Sequence, residues 1–242
     1  MQQYKNSNNT MESENHIKNG MIFKKLLLLF MTICLSVTLQ AQQASKSDSK
    51  KILITDVGYI SIPNELELQS GNYKNYAESR QKLMAQKFNY EIPDQRIVFQ
   101  QKELNELTEK GLSSYVRVII ETTLGSRGEF FKQSDDYSMS ATEKKEIDLV
   151  YKQQIEQMFR WSNVRVIKWD GVMVVNINQS KAIKISYTRQ LNDNPYVCVD
   201  MYVFHNNDRM HTILIEYQQK DSNKWKPLLD KVINSFHLTN IK

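Results

Sequence analysis

Four apolar-rich runs occupy residues 172–217: "VMVVNI", "AIKISYTRQ", "YVCVDMYVF" and "MHTILIEY". The polar turn "NQSK" joins the first two, and "HNNDR" joins the last two. Parallel neighbours need a crossover of a dozen or more residues, so connections this short allow only antiparallel strands. In the third run Val197, Val199, Met201 and Val203 alternate against Tyr196, Cys198, Asp200, Tyr202 and Phe204. Such period-two alternation gives each face of a sheet its own side chains. An antiparallel sheet is therefore the frame to which the rest of the chain must be fitted.

Upstream, "VGYISIP" alternates and stops at Pro63, which suits a first strand at a sheet edge because proline cannot donate to a ladder. "RIVFQ" reads as a strand and "SSYVRVIIETTL" as a stronger one. Its Val116, Val118 and Ile120 share one face, with Tyr115, Arg117, Ile119 and Glu121 on the other. The spacing of Ile147, Val150, Tyr151, Ile155, Met158 and Phe159 predicts a long surface helix, opened by a capping box at Ser140 and Glu143. A closing helix carries Trp225, Leu228, Leu229, Val232 and Phe236 as its apolar stripe, with Pro227 tolerable near the first turn. Strands, a long helix, a meander and a closing helix specify an α+β fold: an antiparallel β-sheet flanked by helices, an α/β/α sandwich.

A mean hydropathy of −0.54 makes the segment starting at Lys24 and Lys25 conspicuous. Its apolar run, residues 26–39, is too short to span a bilayer, which takes about 20 residues. A positive start, a short apolar core and then Ala41 follow the order of a secretory signal peptide, with cleavage between Ala41 and Gln42. The domain plan that follows is residues 1–20 as an over-extended start ahead of Met21, 21–41 as signal peptide, 42–51 as flexible linker and 52–242 as one globular domain. Cys34 lies inside the apolar core behind Ile33, which argues against lipidation. Residues 1–41 hold four of the 32 basic and two of the 27 acidic groups, leaving a net charge of +3 on the remainder. That balance, together with export, argues against nucleic acid as a partner. Cys198 then stands alone and cannot close an intramolecular disulfide.

The C-terminal half, "VNINQSKAIKISYTRQ", "YVCVDMYVFHNNDRMHTILIEYQ" and "WKPLLDKVINSF", resembles the PsbP-like fold. A turn feeds a strand ending in Tyr187, a hairpin leads to a strand ending in Tyr217, and a helix closes on Ser235 and Phe236. "GYISIP", "FQQKELN" and "YVRVII" agree with its earlier strands, so the resemblance spans residues 52–238. That superfamily includes the extrinsic oxygen-evolving protein of photosystem II, a Ran-binding nuclear import factor and many exported bacterial proteins. The resemblance implies a fold and a habit of docking onto larger assemblies. Its matching positions are packing positions and transfer no site residue.

No sequence motif specifies chemistry. Asp135 and Asp136 are adjacent in a polar loop and lack the separation a catalytic carboxylate pair requires. His205 and His211 flank a turn and could meet across a hairpin, but zinc wants three or four ligands. Cys198 is read as a structural thiol, because His205 seven residues on falls on the other face of the strand. "GSRG" at 125–128 follows a strand and reads as a turn. The candidate binding segment lies between residues 73 and 90, where Tyr73, Lys74, Tyr76, Arg80 and Lys82 interleave aromatic rings with positive charge. Its competing reading is a solvated excursion whose tyrosines fold back on the core.

The leading expectation is a non-catalytic exported domain, periplasmic or in the cell envelope, that binds or scaffolds another envelope protein. It takes no cofactor or metal and meets the membrane only through its signal segment. A small-ligand carrier or sensor with a pocket between sheet and helix is one alternative, and an enzyme whose residues converge only in three dimensions is another. A deep cleft with convergent polar groups favours the alternatives.

Overall fold

A computed structural model describes residues 48–88, 91–131, 137–160 and 162–238. The signal segment with Cys34, Ala41 and Gln42 lies outside the described residues, as does the Asp135–Asp136 pair. The described residues from Ser49 onward cluster as one unit.

Seven strands form the main sheet in the order β3 (Leu66–Leu68), β4 (Gln95–Gln101), β5 (Val116–Leu124), β9 (Arg209–Gln218), β8 (Val197–Asn206), β7 (Ser180–Leu191) and β6 (Val164–Ile177). Every neighbouring pair is antiparallel, including the meander from β6 to β9 that the short turns require. A second sheet of three strands has β2 (Gly58–Pro63) between β1 (Ser49–Ile54) and β10 (His237–Leu238). The fold is α+β, as the order of elements dictates.

Two details of the first strand differ from expectation. β1 starts at Ser49, so residues 49–51, read as linker, are already paired with β2. β2 is central rather than an edge, but β10 reaches only Tyr59 and Gly58. Pro63 pairs with Ser49 beyond that short overlap, where its missing N–H costs no second ladder bond.

One face of the main sheet, carrying Val116, Val118, Ile120, Ile213, Ile215 and Phe204, shares a core with the small sheet and with helix α4 (Ser222–Asn234). Trp225, Leu229, Val232 and Ile233 are the buried stripe of that helix. Pro227 sits one turn deeper than expected, following a 3-10 turn over Gln219–Asp221. The opposite face belongs to helices α1 (Gly71–Phe88) and α3 (Ala141–Phe159); α2 (Glu109–Leu112) is a single turn before β5. The α3 capping box is present: Glu143 N–H donates to Ser140 Oγ at 3.2 Å, and Ser140 N–H donates to Glu143 Oε2 at 2.8 Å. α3 seats Ile147, Tyr151, Ile155 and Phe159 on Val172, Ile185, Tyr187 and Val199. β6 carries two register shifts opposite this helix, and Trp169 Nε1 donates to the Asp148 carboxylate at 3.0 Å.

Candidate functional site

Strand alternation puts Arg96, Val98 and Gln100 of β4, Arg117, Ile119 and Glu121 of β5, and Leu214, Glu216 and Gln218 of β9 on the face turned toward α1 and α3. The two helices leave part of that face uncovered. Between them lies a cleft of about 580 Å³. Tyr73, Tyr76, Ala77, Arg80 and Met84 of α1 form one wall, and Met158 and Phe159 of α3 with Val164 form the other. Its volume falls within the range that holds small organic ligands, about 300–1,000 Å³.

The cleft floor is a ladder of charge set by register. Arg96 faces Glu121 across β4 and β5, and their side chains pair at 2.8 Å. Arg117 faces Glu216 across β5 and β9. Arg189, on β7, reaches over β8 to Glu216 at 3.2 Å and also donates to the Tyr115 hydroxyl at 3.1 Å. That hydroxyl in turn donates to Glu216 in a short hydrogen bond. Burial opposes the Glu216 charge, but Arg189, the Tyr115 hydroxyl and Arg117 overcome it and hold the carboxyl below its ordinary range. Burial and the adjacent Glu216 push the Tyr115 phenol up, so it stays a neutral donor. Glu121 behaves oppositely: burial raises it more than Arg96 lowers it.

Arg117 is treated differently from Arg96 and from Arg189, which lines the adjoining cavity. Its guanidinium donates to the Tyr73 hydroxyl at 2.9 Å and lies 5.1 Å from the Tyr115 ring centroid. Among the described residues it has no carboxylate within salt-bridge distance, and its buried Nε has no acceptor. The same side chain also lines an adjoining cavity of about 350 Å³ with Arg80, Tyr115, Arg189, Pro195 and Gln218. Gln218 Oε1 is likewise buried without a donor.

Of the five residues singled out in the sequence, Tyr73, Tyr76 and Arg80 line the cleft. Lys74 and Lys82 project instead toward a separate cavity of about 620 Å³ beside Leu53, Leu68 and Ile97. The segment is one 18-residue helix, and its tyrosines divide the two readings between them. Tyr73 folds back on the sheet through Arg117, whereas Tyr76 is 63% exposed. Arg96, Arg117, Glu121, Arg189 and Glu216 are the functional candidates that sequence reasoning missed. Their signal was charge inside strands whose two faces are both covered by helices or sheet, a costly placement without partners.

The remaining candidates stay apart. Phe204 pairs with His211 and His205 with Met210, so the two histidines lie on opposite faces of the hairpin and do not meet. His211 is fully buried with Nδ1 3.0 Å from the Thr122 hydroxyl, while His205 packs near Phe130. Cys198 is half-buried beside Thr188 and Tyr217, and burial pushes its thiol up, away from reactivity. Residues 125–128 form the expected turn, tied to the β8–β9 hairpin by a bridge from Phe130 to Asn207. Ser186, Asp200 and Lys184 form one polar cluster on the other sheet face, with Asp200 2.5 Å from Ser186 Oγ and 3.1 Å from Lys184 Nζ. Among the described residues no group of three metal-capable side chains occurs, and no helix is long and apolar enough to cross a membrane.

No family model and no curated protein sequence matches the chain. Among solved structures, it is similar to cyanobacterial PsbP (CyanoP) from Synechocystis, with 12% identity over 81% of this chain and 95% of that one and a TM-score of 0.48. It is also similar to the Ran-binding protein Mog1p of Saccharomyces cerevisiae, with 12% identity, 78% and 95% coverage and a TM-score of 0.39. A structure from Bacteroides thetaiotaomicron matches at 9% identity, 79% and 49% coverage and a TM-score of 0.40. The likeness is one of fold, to the PsbP-like group that the C-terminal half of the sequence resembles, and it carries no argument about function.

Proposed function

We propose that this chain is a non-catalytic, exported binding domain whose ligand occupies the cleft between α1 and α3. The observation behind this reading is the convergence of Arg96, Arg117, Glu121 and Glu216 on the floor of a 580 Å³ cleft with apolar walls. A few placed polar groups inside an apolar concavity are the usual constitution of a small-molecule site. Binding rather than turnover fits the two carboxylates of the floor: Glu216 is committed to Arg189 and Tyr115, and Glu121 to Arg96, while the third lining carboxylate, Glu91, is exposed at the rim. The lining contains no histidine or cysteine, and its Ser162 hydroxyl donates to the Phe159 carbonyl at 2.9 Å. The sheet-and-helix pocket of a carrier or sensor is therefore placed ahead of the binding or scaffolding of another envelope protein that was expected first.

Docking to an envelope protein is the second reading, favoured by one feature. Tyr76 and Met158, 63% and 56% exposed, stand on opposite lips of the cleft and offer a partner two apolar anchors. The test is mass spectrometry of small molecules extracted from the protein after purification from its own cells, beside an Ala77→Trp variant that fills the cleft from α1. One compound retained by the natural protein and lost from the variant supports the ligand reading. The same compound in both preparations refutes the cleft as its site.

A further inference from the structure

Resting on the cleft as the binding site, we infer that its ligand is an amphiphilic monoanion, a carboxylate attached to an apolar body. The head group is assigned to Arg117 and Arg80, and the body to the apolar walls.

The sign and number of the charge come from the floor. Four guanidiniums, Arg80, Arg96, Arg117 and the adjoining Arg189, stand at the cleft with three carboxylates, Glu91, Glu121 and Glu216, an excess of one positive charge. Arg96 and Arg189 each have a carboxylate within 3.2 Å, which leaves Arg117 without an ion pair of its own among the described residues. A partly buried guanidinium that shares Glu216 with Arg189 is incompletely neutralised, and a bound monoanion is the partner that completes it. A dianion would overcompensate a floor with one charge in excess.

The position of the head group comes from two further observations. Arg117 Nε is buried without an acceptor, so this guanidinium, which lines both cavities, has unmet donor capacity. Arg80 lines both cavities from an exposed position on α1 and can add a second guanidinium donor. Planar guanidinium forks match carboxylate geometry. From that point the cleft runs between Ala77 and Met84 on one side and Ile119, Leu214 and Met158 on the other, which suits an apolar body.

The experiment is isothermal titration of the natural protein with four probes: decanoate, decanol, decylammonium and acetate. Decanoate is expected to bind at least about tenfold more tightly than decanol, the least that a hydrogen bond to a charged group contributes. Acetate, lacking the body, is expected to show no measurable heat, and decylammonium to bind more weakly than decanol. Arg117→Met should lower decanoate affinity to that of decanol. Arg80→Gln, on the exposed side of α1, repeats the test should Arg117→Met lose its fold. Equal affinity for decanoate and decanol, both abolished by Ala77→Trp, would overturn the anion assignment and leave the cleft standing. Binding of both probes unchanged by Ala77→Trp would overturn the cleft itself. Absence of decanoate binding would overturn the inference.

Discussion

Glu216 holds the charged floor together, and its role can be separated from that of Glu121 by substitution. Glu216→Gln leaves the partly buried Arg189 without its ion-pair partner and removes the charge that Arg117 shares, a loss expected to cost about 3 kcal/mol of stability. Glu121→Gln should cost far less in urea unfolding, because Arg96 and Glu121 are both partly exposed and burial already disfavours the Glu121 charge. The same residues set the response to acid. The Glu216 carboxyl is depressed in the fold, so its contribution is complete above the unfolded value of about 4.3 and is lost as pH falls below it. His211 acts at higher pH. Burial and the nearby Arg209 push it down to about 4, while the unfolded imidazole titrates near 6.5. Its contribution is complete above about pH 6.5 and declines by about 3 kcal/mol as pH falls to 4, because unfolding then takes up a proton. Thermal melts between pH 7 and 4 should show this slope, and His211→Asn should flatten it; an equal slope in both proteins would remove His211 from the explanation.

Among the elements, the best-marked in the sequence are those whose local chemistry and tertiary contacts agree. α3 has its capping box, and both halves of that box are formed. Ser140→Ala should cost about 1 kcal/mol, read from the shift in urea midpoint, with most of the loss in the first turn of α3. The meander was legible because turn length forces strand direction. β3 and the first half of β6 were not: β3 has only three residues, and "VRVIKW" has its alternation interrupted by one register shift inside it and another directly after Trp169. β10 was invisible for a different reason. A two-residue strand has no period, and it exists because Gly58 lets the chain end approach β2. A Cβ at Gly58 would lie 1.9 Å from His237 O, so Gly58→Ala must push β10 away. Amide exchange at Tyr59 and Leu238 should rise sharply in that variant, and unaltered protection there would show that β10 is held by other contacts.

At the scale of the whole molecule, the site arises because the two faces of one sheet are covered differently. α4 and the small sheet share a dense apolar core with one face, while α1 and α3 straddle the other and leave a strip of β4, β5 and β9 open between them. The aromatic and basic half of the site was legible, since Tyr73, Tyr76 and Arg80 fall within one short segment. The floor was not, because Arg96, Arg117, Arg189 and Glu216 come from four strands, and only their register brings them together. Lys74 and Lys82 share the segment but not the site, because the turn of the helix sends them to the other cavity. The most direct test is methyl NMR of the protein titrated with decanoate, following Ala77, Met84, Ile119, Met158 and Leu214. Saturable shifts at these five, with the methyls of Leu229 and Val232 beneath α4 unmoved, are the predicted result. Shifts centred on α4, or spread evenly over the surface, would contradict the cleft as the place where this protein binds.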